Sequence, residues 1–238
     1  MDINEKVVLI TGATAGIGLA SARSFAAEGA RLVLAARSAD TLEQITEELR
    51  QQGREAIAWP TDMRNQAEVE RLADAAFQQF GRIDILINNA GQAAAGTIAD
   101  VSIDNFRQIF DLNVFGPLYA MQAVIPKMRQ NGGGVIINIS SMVSKMHIPG
   151  LGAYAATKAA LNMLSDTARQ ELQLENIRVI TVYPRMTATD FGKNSLGNRQ
   201  MRTQQRASSS MVPDSAELVA EKILEAAQKE PAEQFMDM

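Results

Sequence analysis

Val7-Val8-Leu9-Ile10-Thr11-Gly12-Ala13-Thr14-Ala15-Gly16-Ile17-Gly18 is the stretch on which the rest of the chain is read. An apolar, β-branched run ends in three glycines, and a helical pattern from Leu19 to Glu28 follows at once. A run such as Val7–Ile10 is what a parallel strand covered on both faces requires. The glycines permit a sharp turn and bring bare backbone N–H groups close to something bulky. A helix opening at Gly16–Gly18 carries positive potential at its N-terminus, so the bulky object is expected to be a phosphate. A plain βα turn with small residues for packing would use the same glycines, and other segments must decide between the two.

The 238 residues are 46% hydrophobic and 21% charged, which suits one α/β domain spanning 1–238. A net charge of −4 leaves no basic surplus with which to bind nucleic acid. No apolar run approaches the ~20 residues of a membrane span, and no signal-peptide h-region opens the chain. A cytoplasmic setting without a membrane partner is therefore expected. The absence of Cys removes thiolate chemistry, and His147 alone supports neither a zinc site nor a Ser–His–Asp triad. No metal is expected.

Outward from the glycine loop, strands and helices alternate. Arg31–Ala36 reads as a buried strand, Leu42, Ile45 and Leu49 as a helix stripe, and 56–59 as a short strand closed by Pro60. Val69, Leu72, Ala73, Ala76, Phe77 and Phe80 form a second stripe, ended by Gly81. A fourth strand over 83–87 runs into Asn88-Asn89-Ala90-Gly91, and a loop from Gln92 to Val101 follows. Helical patterns lie at 106–110 and 114–128, with Pro126 expected to kink or tighten the end. After the Gly132–Gly134 turn come a strand at 135–139, a helix from about 152 to 175 and a strand at 178–182. Residues 190–212 are polar and patternless, as a mobile substrate loop would be. A helix over about 214–229 and a weak strand near 234–236 finish the chain. Such alternation predicts a Rossmann-type, doubly wound parallel sheet of about seven strands with helices on both faces. Its ligand should lie beyond the carboxyl ends of the strands, where strand order reverses.

Chemistry-bearing residues do follow the strands: Thr11–Gly18, Asn88–Gly91, Ser140-Ser141 and Pro184 onward. Tyr154 and Lys158, four apart in Tyr154-Ala155-Ala156-Thr157-Lys158, share a helix face. A free Tyr, with a pKa of about 10, is ionised only about one part in a thousand at pH 7, and a neighbouring ammonium favours the phenolate. Such a Tyr can exchange a proton with an alcohol or carbonyl oxygen.

In order and spacing, these motifs resemble the short-chain dehydrogenase/reductase family over essentially the whole chain. The resemblance implies Tyr154 as general acid/base, Lys158 lowering its pKa and binding the nicotinamide ribose, Ser141 bonding the substrate oxygen, and Asn113 holding a water in the proton relay. By residue type alone, Ser141 would equally serve as a turn or cap, with Ser140 as its competitor, and Asn113 as a helix N-cap. For the cofactor the resemblance implies contacts from Gly12, Thr14, Gly16, Ile17 and Gly18. Asp62 and Met63 would meet the adenine, Asn89, Ala90 and Gly91 its ribose, and Pro184, Thr187 and Thr189 the nicotinamide side; Asn89 and Gly91 also suit a plain turn.

An NAD enzyme needs a carboxylate at the end of its second strand for the ribose 2′-hydroxyl. This chain has Ala36, Arg37 and Ser38 there, and an Arg fork suits a 2′-phosphate, so NADP(H) is expected. One residue departs from the family pattern: Arg185 follows Pro184 where Gly is usual. It would offer a cation to a substrate carboxylate or phosphate. The expected activity is NADP(H)-dependent interconversion of a ketone or aldehyde and its alcohol. 3-Oxoacyl-carrier-protein reductases share these motifs; a non-catalytic NADP(H)-binding regulator of this fold is the other alternative, and the intact Tyr154, Lys158, Ser141 and Asn113 argue against it. The family also implies a homodimer or homotetramer built on the helices near 113–130 and 152–175.

Overall fold

Strand β1 (Val7–Thr11) is buried at all five positions and runs through the middle of the sheet in the computed structural model, which describes residues 1–197 and 212–236. Around it lie β2 (Arg31–Ala36), β3 (Ala56–Pro60), β4 (Ile85–Asn88), β6 (Gly134–Ile139), β7 (Ile177–Tyr183) and β9 (Glu233–Phe235). Their order is β3-β2-β1-β4-β6-β7-β9, parallel throughout. The chain winds outward from β1 to β3, then crosses back to β4 on the other side. Strand order therefore reverses between the carboxyl ends of β1 and β4, where Gly12 and Asn89 stand.

Alternation along the strands feeds two apolar layers. Val8 and Ile10 join Leu34, Ile87, Ile137 and Ile180 in one layer, packed under α1 (Gly16–Ala27), α2 (Ala39–Gln51) and α7 (Ala216–Lys229). Val7 and Leu9 join Val33, Leu86, Ile136 and Val179 in the other, beneath α3 (Gln66–Phe80) and α5 (Gly116–Gln130). Asn65 caps α3 through the Glu68 N–H, and Gly81 (φ 73°) closes it in the left-handed conformation that glycine tolerates best.

Several boundaries differ from the sequence reading for physical reasons. β4 is assigned from Ile85, although the Asp84 backbone already bonds to both neighbouring strands, its N–H donating to the Val7 carbonyl (2.9 Å) and its carbonyl accepting the Val135 N–H (2.8 Å); its buried carboxylate accepts from the Val7 N–H and from the Arg82 guanidinium. The 92–101 loop contains β5 (Ala94–Ala95), which pairs with β8 (Leu196–Gly197) in a separate two-stranded sheet. Two residues are too few to show periodicity. The helical patterns expected at 106–110 and 114–128 are α4 (Ile103–Phe110) and α5, joined without a break by a π-helical turn at Asp111–Phe115, and α5 continues past Pro126 to Gln130. The long later helix is α6 (Gly152–Leu172), ending in a 3₁₀ turn at Gln173–Glu175. Of the 190–212 segment, 198–211 lie outside the described residues. Its first part is structured: a 3₁₀ turn at Asp190–Gly192, then β8. Among the described residues no helix is long and apolar enough to cross a membrane.

Candidate active site

At the point of reversal the glycine loop folds against the end of β4. A Cβ on Gly12 (φ 68°) would stand 2.9 Å from both the Ala90 Cα and the Asn89 Nδ2. A Cβ on Gly18 would enter the Gly12 carbonyl. Asn89 Nδ2 donates to the carbonyls of Thr11 (2.9 Å) and Gly12 (3.2 Å), and Thr11 Oγ1 accepts from the Asn89 and Ala90 N–H groups. The Asn89 side chain is thus engaged in holding the glycine loop against the end of β4. Helix α1 starts at Gly16 after Ala15, with no side chain capping it, and Thr14, Gly16 and Ile17 remain partly exposed. Uncapped first-turn N–H groups at the end of a glycine loop suit a diphosphate.

At the next strand end, Arg37 and Ser38 are exposed directly after buried Ala36, and neither Ala36, Arg37 nor Ser38 supplies a carboxylate. Asp62 is gripped by Arg64, Nε at 3.0 Å and Nη2 at 2.5 Å. That fork, with Arg37 adding field, holds its carboxyl below the usual carboxylate range against the opposing effect of burial. Met63 buries its side chain in the layer with Val69 and Leu72, so it can meet a nucleotide only through its backbone.

The end of β6 separates the two serines. Ser140 is buried and donates to Asn162 Oδ1. Ser141 is partly exposed; its Oγ accepts the Val143 N–H (3.2 Å), capping a 3₁₀ turn and leaving its O–H to donate. Asn162 Nδ2 donates to Ser144 Oγ (2.9 Å), which donates to the Ser141 carbonyl (2.7 Å). Asn162 and Ser144 thereby brace Ser141. The sequence reading missed both, although Asn162 stands four residues past Lys158 on the same face of α6.

Lys158 Nζ is fully buried, donates to the Ile139 carbonyl at 2.8 Å and lies 6.0 Å from the Tyr154 ring centroid. Desolvation pushes the ammonium from the ordinary 10.5 down to about 8. Asn113 sits inside the π-helical turn and is no N-cap. Its Oδ1 accepts from the Gln92 N–H, and its Nδ2 donates to the Gln92 carbonyl (2.8 Å) and Thr157 Oγ1 (3.0 Å). Thr157 Oγ1 in turn donates to the Tyr154 carbonyl, so Asn113 links β4's exit to the Tyr154 turn. With both amide hydrogens engaged, its side chain retains acceptor capacity only. A Cβ on Gly91 would lie 3.2 Å from Asn113 Oδ1 and 3.6 Å from Lys158 Nζ, so the backbone at residue 91 passes close to both side chains.

Beyond β7, the carbonyl of buried Pro184 accepts the Met142 N–H (3.0 Å), tying the serine turn to this strand end. Arg185 does not occupy positive-φ backbone, so glycine is not required there. Its guanidinium grips Asp214, Nη2 to Oδ1 at 2.8 Å and Nε to Oδ2 at 3.1 Å. This corrects the expectation of a cation offered to substrate. Thr187 Oγ1 donates to the Arg185 carbonyl, Thr189 stands against Gly16, where a Cβ would meet it at 3.0 Å, and the Phe191 ring lies 5.9 Å from that of Tyr154. His147 is exposed, away from these contacts.

Residues 6–200 match the family model described as short chain dehydrogenase. An uncharacterized oxidoreductase of Staphylococcus aureus (strain N315) is 36% identical over 187 residues, 79% of this chain and 80% of that protein. Among solved structures, a short-chain dehydrogenase/reductase of Burkholderia phymatum in complex with NAD superposes with a TM-score of 0.90 at 29% identity, covering 99% of this chain and 90% of the other. L-Sorbose reductase from Gluconobacter frateurii, complexed with NADPH and L-sorbose, gives 0.87 at 29% identity, covering 100% and 97%. A glycine cradle at the point of strand reversal, a buried lysine one turn beyond a tyrosine, and these likenesses agree: the chain belongs to the short-chain dehydrogenase/reductase family of oxidoreductases.

Proposed function

We propose that this protein is an NADP(H)-dependent oxidoreductase that interconverts a ketone or aldehyde and its alcohol, with residues 1–238 working as one domain. The observation that carries the reading is the buried Lys158 ammonium, one helical turn from Tyr154 and beside the backbone of Gly91. A nicotinamide dinucleotide held along Gly12–Gly18 would supply or take up the hydride. In reduction, Tyr154 gives its hydroxyl proton to the substrate oxygen. Lys158 stabilises the phenolate left behind, an attraction strengthened by the low dielectric around a buried charge. Ser141 donates its O–H to the same oxygen, and Asn113 keeps Gln92 and the Tyr154 turn in register. The Phe191 ring and the apolar contacts of Tyr154 with Ala93, Ala94 and Ile109 keep water from the reacting atoms.

The preference for NADP(H) is supported by exposed Arg37 and the absence of a carboxylate at Ala36–Ser38, and by Arg64, which occupies the nearby Asp62 carboxylate. The family resemblance and the exposed apolar side chains of Phe115, next to α5, and Met163, on α6, support a homo-oligomer built on these helices. The test is oxidation of NADPH and NADH with a panel of ketones and aldehydes. Turnover with NADPH preferred is expected. Arg37→Asp should move the preference towards NADH, and an unchanged preference would overturn the cofactor assignment. Tight dinucleotide binding without turnover of any carbonyl would indicate a regulator instead.

A further inference from the structure

Arg185 and Asp214 are 29 positions apart in sequence, yet they form a two-bond ion pair. Asp214 is only 8% exposed and has a backbone role as well. Its N–H donates to the Met186 carbonyl (2.9 Å), its carbonyl accepts the Ala188 N–H (2.8 Å), and it forms a parallel bridge with Thr187. One residue ahead of α7 therefore lies as a one-residue strand beside 186–188, and the guanidinium locks it there. The locked segment continues directly into Thr189, against Gly16 of the phosphate cradle, and Phe191, against Tyr154. We infer that the Arg185–Asp214 pair is a positioning clasp that fixes segment 186–191 so that Thr189 and Phe191 complete the dinucleotide and substrate sites. Neither residue of the pair is catalytic. Rigid elements on both sides make the clasp effective: Pro184 is bonded to Met142 at the end of β7, and Ser215 caps α7 through the Leu218 N–H.

The inference rests on the reading of the site as one that binds a dinucleotide, and its test separates the two. Arg185→Met, Asp214→Asn, the double variant and Arg185→Lys are compared in NADPH affinity, in KM and kcat, and in amide hydrogen exchange at Ala188 and Asp214. Each single variant should weaken NADPH binding and raise the carbonyl KM on the order of tenfold, the usual size of a coupling between two elements. In each, exchange at these two amides should speed up, with kcat changed less than KM. The double variant should be no worse than either single one, because both remove the same interaction. Arg185→Lys keeps the charge without the fork and should recover part of the loss. Wild-type affinity and exchange in the single variants, or fully additive losses in the double, would overturn the clasp. If the unmodified protein bound no dinucleotide, the site reading would fall, and the exchange measurements alone would still decide the clasp.

Discussion

Lys158→Met should make the protein inactive and more stable. Among the described residues no carboxylate is bonded to the buried ammonium, whose hydrogen bond goes to the Ile139 carbonyl, and burial takes its pKa from 10.5 to about 8. That depression corresponds to about 3 kcal/mol of destabilisation at pH 7, where the folded protein must keep a charge that the unfolded chain solvates freely. Methionine matches the stem and removes the charge, but it leaves the Ile139 carbonyl without its partner at a cost of about 1 kcal/mol. The net gain at pH 7 is therefore about 2 kcal/mol, or roughly 4–8 °C in Tm for a chain of this size. The sign follows from proton counts: between pH 8 and 10.5 the unfolded state binds more protons at this site than the folded one, so wild-type stability rises with pH there. By pH 9.5 only about 1 kcal/mol of the penalty remains, and the gap to Lys158→Met should nearly close. Denaturant or thermal unfolding of both proteins without cofactor, at pH 7 and 9.5, measures this. A variant less stable than wild type at pH 7, or a gap that does not change with pH, would refute the account of a desolvated, charged lysine.

Tyr154→Phe should lose turnover by several orders of magnitude while NADPH affinity, measured by fluorescence titration, stays within a few-fold. Gly18→Ala should prevent folding or dinucleotide binding, since its Cβ would fall inside the Gly12 carbonyl; a soluble variant with wild-type affinity would contradict the packing. Asn89→Ala frees the carbonyls of Thr11 and Gly12, and should lower stability by about 1–3 kcal/mol and weaken NADPH binding more than carbonyl KM. Asn162→Ala unhooks Ser140 and Ser144 from α6, so kcat/KM should fall about tenfold through a displaced Ser141, while NADPH affinity is retained.

Much of the architecture was legible because its causes are local. The β-branched runs at 7–10 and 135–139 can be satisfied only in strands covered on both faces, and the Leu42/Ile45/Leu49 stripe only in a helix lying on them. Gly12, Gly16 and Gly18 announced a cradle through backbone conformation, and a spacing of four placed Tyr154 and Lys158 on one face. Elements were less legible where they are too short or irregular to carry a period, as the two-residue β5 and the π-helical turn at Asp111–Phe115 are.

What the sequence by itself determined, then, is a parallel α/β sheet with a glycine loop at its centre and a tyrosine–lysine pair on one helix, since periodicity, glycine and helical spacing act over a few residues. Tertiary structure alone decided which partner each polar side chain takes. It assigned Ser140 to Asn162 and left Ser141 its donor; it tied Asn89 to the glycine loop and Asn113 to Gln92 and Thr157. It also paired Arg185 with Asp214. Those pairings join residues that are far apart in the chain, and a hydrogen bond or ion pair depends on distance and direction in space, which local pattern does not encode.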